Sequence, residues 1–461
     1  MFKFSIDTVS VKPFRHSVVL AASMESPNIS IFSSFNLTKL ASIFFASLLS
    51  VGCGSGDWGN TRTLEGCVVS FYDANLELLE ARYAKFGDSI NLDDKKREHG
   101  VLGWYQAKNA TAVEGHFTIS EDVNFYAAPN VIEISNQAEL NSIRNGLSGN
   151  YSLTRDIKLR AGEAGFDEIH GWSPIGDLAD AFTGIFNGNS HKISGLWIDR
   201  PTAARVGLFG CVEIGTIKNL GVLTDETKWI QGEDYVGGIA GVITTDSVIT
   251  NSYFAGNISA DNFVGGIAGH VYGDSTIRGS YSKLSISGTT NVGGIAGRVE
   301  FGSMVTNSYS IGSVIGDNTN IGGIAGEVYD FATITESYSE ARISGGIGVG
   351  GIAGNVGYSS TVINNAAINQ EIGGLVDINR IVGYISGSNT ITNNFALSIT
   401  KIEIEGDNGK EGTLKSIAQL KSRLTYMGNT IADGKGGLGW DFATTWKIDD
   451  GVGYPYLYWE D

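Results

Sequence analysis

The chain has 461 residues, of which 42% are hydrophobic and 18% charged, so it can bury one or more sizeable cores. Its formal net charge of −17 argues against nucleic acid as a partner, because phosphate binding needs a basic face. Glycine is abundant (63 residues) and proline scarce (6), which favours tight turns between short extended segments. The three cysteines lack C-x-x-C spacing and indicate neither a disulfide framework nor a cysteine metal cluster.

An apolar run near the N-terminus predicts an export signal. Residues 40–49 carry no charged side chain, are too few to cross a bilayer and match the length of a signal-peptide core. The run leads into Ser50-Val51-Gly52-Cys53, which resembles a bacterial lipobox, although Ser50 stands where an aliphatic residue is usual. The resemblance implies cleavage before Cys53 and lipidation of that residue.

This signal sets the expected location of the protein. We expect a signal peptide over residues 1–53 and a linker over 54–65, with Met24 rather than Met1 as the start, since the apolar run begins late. The protein would then be extracellular, on a bacterial cell surface, and held to the outer membrane by its lipid anchor. Secretion without an anchor, or burial of the run in a larger fold, are the alternatives.

Four extended segments indicate a small β domain over residues 66–129. They contain, in order, the sequences VSFYDAN, FGD, GWY and VNFYAA, and the polar stretch 93–98 predicts a solvated loop between the second and third. These landmarks resemble the Listeria–Bacteroides repeat, also called the internalin-type B-repeat. The resemblance implies a β-grasp-like module of a bacterial surface protein. Trp104 and Tyr105 either fill its small core or line a ligand surface.

A repeat of 28 or 29 residues dominates the second half of the chain. Each unit holds short segments rich in Ile, Val, Ser and Thr, separated by Gly, Asn and Asp, without helical periodicity. Because one unit alone cannot bury its apolar side, the units must stack. The sequence predicts an all-β fold, a parallel β-solenoid (β-helix) of about seven 28-residue coils over 205–400, after a lead-in and N-terminal cap over 130–204. The motif VGGIAG begins at Val236, Val264, Val292 and Val349, and IGGIAG begins at Ile321.

Stacking would align equivalent residues into columns, in which successive residues lie about 4.8 Å apart. We expect an apolar core column, a column of aromatic rings, a serine column before it, and an asparagine column whose amides hydrogen-bond along the axis. The paired glycines would form corners that require positive φ or close backbone approach. The columns are Ile239, Ile267, Ile295, Ile324 and Ile352; Tyr253, Tyr281, Tyr309 and Tyr338, then Ala366 and Phe395; Ser252, Ser280, Ser308 and Ser337; and Asn251, Asn307, Asn364 and Asn393.

The repeats resemble the GLUG motif over roughly residues 205–400. The preceding segment also matches the usual lead-in of such proteins, with YSLTRDIKL at 151–159, GWSPIGD at 171–177 and FTGIFNGNSHKISGL at 182–196. GLUG motifs occur in large bacterial surface and secreted proteins, including adhesin-like proteins and IgA-specific metallopeptidases. The resemblance therefore implies a β-solenoid passenger and no particular chemistry.

Both ends of the solenoid are predicted to carry capping helices. Asn136-x-x-Glu139 resembles a capping box, and Leu140, Ile143 and Leu147 follow at helical spacing. At the other end, within a C-terminal cap over 401–461, Thr413 precedes Leu414, Ile417, Leu420 and Leu424 at similar spacing. The aromatic-rich segment 439–459 is expected to form a hydrophobic plug over the last coil, because an open solenoid end would invite edge pairing.

The sequence offers no catalytic, metal or cofactor site and identifies no ligand-binding residue. It lacks H-E-x-x-H, G-x-S-x-G, a P-loop and the calcium nonapeptide pattern, so we expect no enzyme. Asp246 and Asp274 lie one period apart and would form a carboxylate pair, which solvated turns or a Ca²⁺ contact also explain. An ice-binding threonine column is interrupted by Arg278 between Thr250, Thr306 and Thr335.

These features together predict a cell-surface or secreted protein that acts in binding and adhesion. Its partner would be a host, matrix or bacterial-surface protein or glycan, with the membrane contacted through the lipid anchor. A structural stalk or envelope component is the alternative. An extracellular glycan-acting β-helix enzyme is a third hypothesis, in which Asp246 or Asp274 would be essential for cleavage.

Overall fold

The computed structural model describes residues 67–72, 78–85, 87–92, 95, 104–106, 112–113, 116–120, 123–127, 131–225, 227–402, 410–427 and 437–460. Two compact units are present, with their boundary between Ala128 and Pro129. The predicted signal peptide and its Cys53 lie outside the described residues, so the lipidation of Cys53 stays a prediction.

The first unit contains a five-stranded mixed sheet and a two-stranded one. The first strand, Cys67–Tyr72, pairs antiparallel with Leu78–Ala84 and parallel with the last strand, Val123–Ala127. The last strand pairs antiparallel with Trp104–Gln106, which in turn pairs with Ala112–Val113. Two parallel central strands are thus flanked on both sides by antiparallel strands, and the assignment to a β-grasp-like module stays a prediction. Ser89–Asn91 and His116–Thr118 form the small second sheet.

Alternation along the first strand buries one of its faces. Cys67, Val69 and Phe71 are fully buried, and the Phe71 ring stacks on Phe125 at a centroid distance of 5.2 Å. Lys95 is also buried, with its Nζ 5.6 Å from the centre of the Phe71 ring. The expectation of a fully solvated stretch over 93–98 is therefore wrong at Lys95, whose aliphatic stem covers the core.

The second unit is the predicted parallel β-solenoid. Each regular coil passes through four sheets, which we call C, B, A and D in the order in which the chain enters them. Sheet C consists of Asp234–Gly237, Asn262–Gly265, Thr290–Gly293, Thr319–Gly322, Ile347–Gly350 and Val376–Asn379. Sheet B consists of Phe209–Glu213, Ala240–Thr244, Ala268–Val271, Ala296–Val299, Ala325–Val328, Ala353–Gly357 and Val382–Ser386.

Sheets A and D run along the other sides of the coils. Sheet A consists of Val131–Ile134, Asn150–Leu153, Ile185–Asn187, Thr216–Lys218, Val248–Thr250, Thr276–Arg278, Met304–Thr306, Thr333–Thr335, Thr361–Ile363 and Thr390–Thr392. Sheet D consists of Ile157–Lys158, Phe166–Asp167, Gly171–Trp172, Lys192–Leu196, Ile198–Asp199, Gly221–Thr224, Ile230–Gln231, Tyr253–Ser259, Tyr281–Gly288, Tyr309–Gly316, Tyr338–Ser339, Arg342–Ser344, Ala366–Ala367, Glu371–Gly373, Phe395–Leu397, Lys401–Ile402 and Thr413–Lys415.

Parallel stacking begins earlier in the chain than the regular repeat. Sheet A pairs Tyr151 with Phe186 and Phe186 with Ile217, which are spacings of 35 and 31 residues. These longer coils lie in the segment expected to be a lead-in, and their turns carry extra residues while the strands stay in register. The sequence repeat does not reveal these coils, because the extra residues in their turns change the spacing between equivalent strands.

The predicted columns form in register. The five isoleucines of the core column, from Ile239 to Ile352, are fully buried. The tyrosine rings from Tyr253 to Tyr338 stack with centroids 5.0, 4.9 and 4.8 Å apart. The asparagine column is only partly continuous, because Gly279 and Glu336 occupy two of its positions. Asn393 Nδ2 donates to Asn364 Oδ1 at 2.7 Å, whereas Asn307 Nδ2 donates to Thr306 Oγ1 instead.

A buried serine ladder joins successive coils. The backbone N–H of Ser280 donates to Ser308 Oγ at 3.3 Å, and that of Ser308 donates to Ser337 Oγ at 3.1 Å. These serines are fully buried. The hydroxyls therefore satisfy backbone donors at a corner where the strands do not pair, which explains why the column is polar.

Replacing Ser308 by alanine should lower the free energy of unfolding by about 1–3 kcal/mol, because the buried N–H of Ser280 would lose its acceptor. Urea denaturation followed by circular dichroism measures the change. Ser388→Ala removes an exposed hydroxyl from a turn and should change stability by less than about 0.5 kcal/mol. Equal effects of the two substitutions would contradict the role of the ladder.

The paired glycines are required for close approach and not for positive φ. A Cβ on the first glycine of a pair, such as Gly293 or Gly322, would collide with the carbonyl oxygen of the alanine three residues later. Neither glycine of the five pairs, which begin at Gly237, Gly265, Gly293, Gly322 and Gly350, has positive φ. The corner between sheets C and B is therefore tight enough to exclude any side chain at this column.

The two predicted capping helices are present, with corrected bounds. Helix α1, Gln137–Ser142, has Asn136 as N-cap, but Glu139 accepts from the N–H of Ser135, one residue before the expected partner. It continues as a 3₁₀ turn, Ile143–Asn145.

The helix expected after Thr413 begins later, because Thr413–Lys415 adds a strand to sheet D. Two single-turn helices follow, α2 (Ile417–Leu420) and α3 (Arg423–Tyr426), and Ser416 and Gln419 form the capping box of α2. Leu424 lies 78% exposed, so the predicted continuous apolar face is wrong there.

The aromatic C-terminal segment lies along the side of the solenoid, so the prediction of a plug over the last coil is wrong. Residues 437–460, which we call the strap, contain a small hairpin, Trp446–Lys447 with Tyr456–Leu457, and a 3₁₀ turn, Tyr458–Glu460. The strap runs back along the tyrosine column, so that its rings cover those of the coils. The indole N–H groups donate as follows: Trp440 to Asn364 O (2.8 Å), Trp446 to Asn307 Oδ1 (3.1 Å) and Trp459 to Gly279 O (2.9 Å).

Candidate functional site

One outward column of sheet B carries polar side chains between apolar ends. The register aligns position 242 with 270, and then with 298, 327, 355 and 384. Along each strand this column is preceded by a glycine, such as Gly269 or Gly297, and followed by an Ile or Val, such as the buried Val271 or Val299. The occupants in chain order are Val242, His270, Arg298, Glu327, Asn355 and Tyr384.

The polar members of this column form one connected network with Glu300. The carboxylate of Glu300 lies 2.8 Å from His270 Nε2 and 2.6 Å from Arg298 Nη2. Arg298 Nε lies 3.1 Å from Glu327 Oε2, and Asn355 Nδ2 donates to Glu327 Oε1 at 3.0 Å. The network therefore spans four coils at the surface of sheet B.

The network is largely shielded from water yet not fully satisfied. The Glu300 side chain is 7% exposed and that of Glu327 12%. Asn355 Oδ1 is buried and has no hydrogen-bond partner among the described residues, and Arg298 Nε is held by its ion pair with Glu327 without a well-aligned hydrogen bond. A buried acceptor without a donor costs free energy.

Aromatic rings border the network on both sides. On the sheet C side, Tyr235 stacks on Phe263 at 4.8 Å, and His270 lies 5.5 Å from Tyr235. On the opposite side, the turn between sheets B and A places Tyr272 5.6 Å from His270 and 4.9 Å from Phe301. His270 therefore lies between two pairs of rings.

The next coils continue this arrangement. The Arg298 guanidinium lies 5.2 Å from the centre of the Tyr329 ring, and Tyr329 contacts Tyr358 at 4.5 Å. Phe301 and Tyr358 are about half exposed. We call the whole set the aromatic–ionic strip, defined by Tyr235, Phe263, His270, Tyr272, Arg298, Glu300, Phe301, Glu327, Tyr329, Asn355 and Tyr358.

Four aromatic residues of the strip have left-handed backbone conformations. The φ angles are 57° at Tyr235, 54° at Phe263, 51° at Phe301 and 52° at Tyr358. Bulky side chains rarely adopt this region, and each such residue costs about 1–3 kcal/mol. Other coils place residues suited to it in the same two columns, among them Asn291, Asn320, Gly348, Gly273 and Asp330.

The residues singled out in the sequence lie elsewhere. Asp246 and Asp274 are exposed turn residues with φ of 58° and 59°, as expected for solvated turns. The strands place Thr250, Arg278, Thr306 and Thr335 in one column of sheet A. The backbone of Trp104 and Tyr105 forms a strand. No group of three or more His, Cys, Asp or Glu side chains suited to hold a metal occurs among the residues that the structure describes.

Sequence reasoning missed the strip because its central column is not made of one residue type. A column of His, Arg, Glu and Asn gives no periodic signal, and only the strand register shows that these residues are neighbours. The available signal was the occurrence of Tyr or Phe at positions of the repeat where other units have Asn or Gly, as at Phe263 against Asn291.

Comparison with known proteins does not place the chain in a family. No protein-family model matches it, so the resemblances to the GLUG motif and the B-repeat stay predictions. The chain is 37% identical over 112 residues to a "Putative Gly-rich membrane protein" of Evansella cellulosilytica, covering 23% of this chain and 13% of that protein. It is 31% identical over 193 residues to "Halomucin" of Haloquadratum walsbyi, covering 35% of this chain and 2% of that protein.

The chain is also similar to a solved structure. It is described as that of a putative immunoglobulin A1 protease from Bacteroides ovatus, with a TM-score of 0.47 and 20% sequence identity over 72% of this chain and 93% of that one. The chain spans only a small part of the two curated relatives. Among the described residues, no helix is long and apolar enough to cross a membrane.

Proposed function

We propose that the protein is a surface-associated binding protein that attaches to an extended glycan through the aromatic–ionic strip. The observation that carries the proposal is the left-handed backbone at four aromatic residues of one surface. A side chain that strains the fold, at a position where other coils use Asn or Gly, is retained for a role other than stability.

The chemistry of the strip suits a repeating sugar polymer. The partly exposed rings, such as Phe301 and Tyr358, offer apolar surface, and the neighbouring carboxylates, guanidinium and amide offer donors and acceptors for hydroxyl groups. Aromatic and polar groups follow one another over successive coils, so an extended chain can contact several of them at once. A surface location is supported by the predicted export signal. It is also supported by the names of the two relatives, one a membrane protein and the other called Halomucin.

Replacing Phe263 by asparagine should weaken glycan binding by about thirtyfold, the effect expected of an aromatic hot spot worth 2 kcal/mol. The same substitution should leave the free energy of unfolding within about 1 kcal/mol, because relief of the left-handed strain offsets the lost stacking on Tyr235. Asn291 already occupies this column one coil later.

The measurement is a glycan array screen of the whole protein, followed by titration of each hit with wild type and variant. Tyr458→Asn removes a half-exposed aromatic ring of the strap and should not alter binding. Binding that survives Phe263→Asn and Tyr235→Asn would move the site away from the strip. If the wild-type protein binds no glycan and no matrix protein, the alternative hypothesis of a structural stalk would be favoured.

A further inference from the structure

A cleft opens beside the first coils of the solenoid, next to the strip. Its volume is about 650 Å³, within the range of pockets that hold small ligands. Three arginines and two aspartates line it, Arg144, Arg200, Arg205, Asp177 and Asp180, together with small and apolar residues. In a chain with a net charge of −17, this excess of arginine is a local exception.

Arg144 forms one wall of the cleft as a fixed cation. Its Nε donates to Asn141 Oδ1 at 2.8 Å and its Nη1 to the carbonyl oxygen of Pro174 at 2.5 Å, while the guanidinium lies 5.0 Å from the Trp172 ring centre. Neutral oxygens hold it, and no carboxylate pairs with it among the described residues. Burial lowers the pKa of Arg144 to about 10, and the positive charge of Arg200 adds to that effect.

Arg200 and Arg205 keep donors that the fold does not use. Arg200 Nη2 lies 3.4 Å from Asp167 Oδ2, but the buried Arg200 Nε has no hydrogen-bond partner among the described residues. Arg205 makes a cation–π contact, with its guanidinium 5.7 Å from the centre of the Tyr235 ring. Because Tyr235 belongs to the strip, this contact connects the cleft to the strip.

The aspartates offset only part of the positive charge of the cleft. Asp177 Oδ1 accepts from the backbone N–H groups of Ala179 and Asp180 at 2.8 and 2.9 Å. These bonds, with a smaller contribution from Arg205, hold the pKa of Asp177 below its ordinary value, so that this carboxylate is ionised. Three guanidinium groups on the lining therefore face two carboxylates, those of Asp177 and Asp180.

We propose that this cleft binds an anionic group, a carboxylate or a sulfate, of an acidic glycan whose chain continues over the strip. The proposal rests on the proposed function of the strip. Guanidinium groups recognise planar carboxylates and sulfate oxygens through paired N–H donors, and three of them, on Arg144, Arg200 and Arg205, line this one cleft.

Calorimetric titration with matched polymers tests the cleft. Homogalacturonan and its fully methyl-esterified form share one backbone and differ in the charge of the carboxyl group, and dextran sulfate and dextran form the second pair. Wild type should bind at least one acidic polymer about tenfold more tightly than its neutral partner, because the charged group gains charge-assisted hydrogen bonds from the arginines. The pair that shows the difference identifies carboxylate or sulfate.

Substitutions separate the cleft from the strip. Arg200→Gln should lose the tenfold preference and leave binding of the neutral polymer unchanged, and Arg200→Lys should retain part of the preference. Arg160→Gln, which removes an exposed arginine outside the cleft, is the matched control. Phe263→Asn should weaken binding of both polymers. Thermal unfolding of each variant excludes loss of the fold as the cause.

The outcomes distinguish the two proposals. If charged and neutral polymers bind with equal affinity and Phe263→Asn still weakens binding, the anion site in the cleft is overturned and the glycan site on the strip stands. If no polymer binds, the proposal that the strip binds a glycan is overturned. The cleft is then tested alone, by titration with galacturonate and with inorganic sulfate followed by nuclear magnetic resonance. A saturable response lost in Arg200→Gln would establish an anion site without a polymer, and no response would overturn it.

Discussion

Replacing Trp446 by alanine should lower the free energy of unfolding by about 3–5 kcal/mol, the cost of truncating a large buried aromatic side chain. Trp446 is fully buried, stacks on Trp440 at 4.7 Å and packs against Tyr309 and Tyr338 of the column. Its indole N–H also donates to Asn307. Its loss would leave a cavity between the strap and the solenoid and expose the tyrosine column to water.

The strap contacts several coils through many aromatic rings, so the effect should be larger than for other residues of the C-terminal region. Leu424→Ala, a truncation at a side chain that is 78% exposed, should change stability by less than about 0.5 kcal/mol. Urea denaturation followed by circular dichroism measures both, and hydrogen exchange of Tyr281 and Tyr309 would report release of the strap. A Trp446→Ala variant as stable as wild type would mean that the strap contributes nothing to the solenoid.

The solenoid should lose stability steeply as the pH rises above about 10, the ordinary pKa of tyrosine. Burial raises the pKa of Tyr281, Tyr309, Tyr338 and Tyr426 well above that value. The unfolded chain releases these protons near pH 10 and the folded chain does not, so their contribution is fully present below this pH and is lost above it. Four such groups give a slope of up to about 5 kcal/mol per pH unit.

Tyrosinate absorbance measured together with circular dichroism tests this expectation. The buried phenols should ionise in the same step in which the β-sheet signal disappears, after the exposed tyrosines have titrated. Tyr338→Phe should reduce the slope by about 1.4 kcal/mol per pH unit, one proton's share, despite the loss of its hydrogen bond to the carbonyl oxygen of Pro455. Smooth ionisation of all tyrosines without unfolding would show that the column is open to solvent.

The repeat was sufficient to predict the solenoid. Two landmarks, the Val-Gly-Gly motif and the tyrosine column, keep the same spacing, and parallel strands can satisfy such a pattern only by stacking. The isoleucine, tyrosine and serine columns follow directly, because every coil places equivalent residues at one point of its circuit. The prediction failed where the chain departs from the period, at the longer coils that pair Tyr151 with Phe186.

The strap shows a different kind of failure. Its composition indicated an apolar segment that must pack against another part of the protein. The contacts that it makes, such as the hydrogen bond from Tyr309 to Glu460, join residues that are 151 positions apart. No local pattern specifies such a partner. An end cap and a lateral cover need the same aromatic residues, and the choice depends on which surface the coils leave exposed, here the side of the tyrosine column.

The sequence by itself therefore determined the coil, its core and its ladders, because those depend on one short unit repeated in register. Only the tertiary structure decided where the strap lies, that His270, Arg298, Glu327 and Asn355 form one network, and that Arg144, Arg200 and Arg205 share a cleft. The physical reason is that repetition encodes what equivalent residues share, whereas a site is made of residues that differ from their equivalents and meet only through stacking.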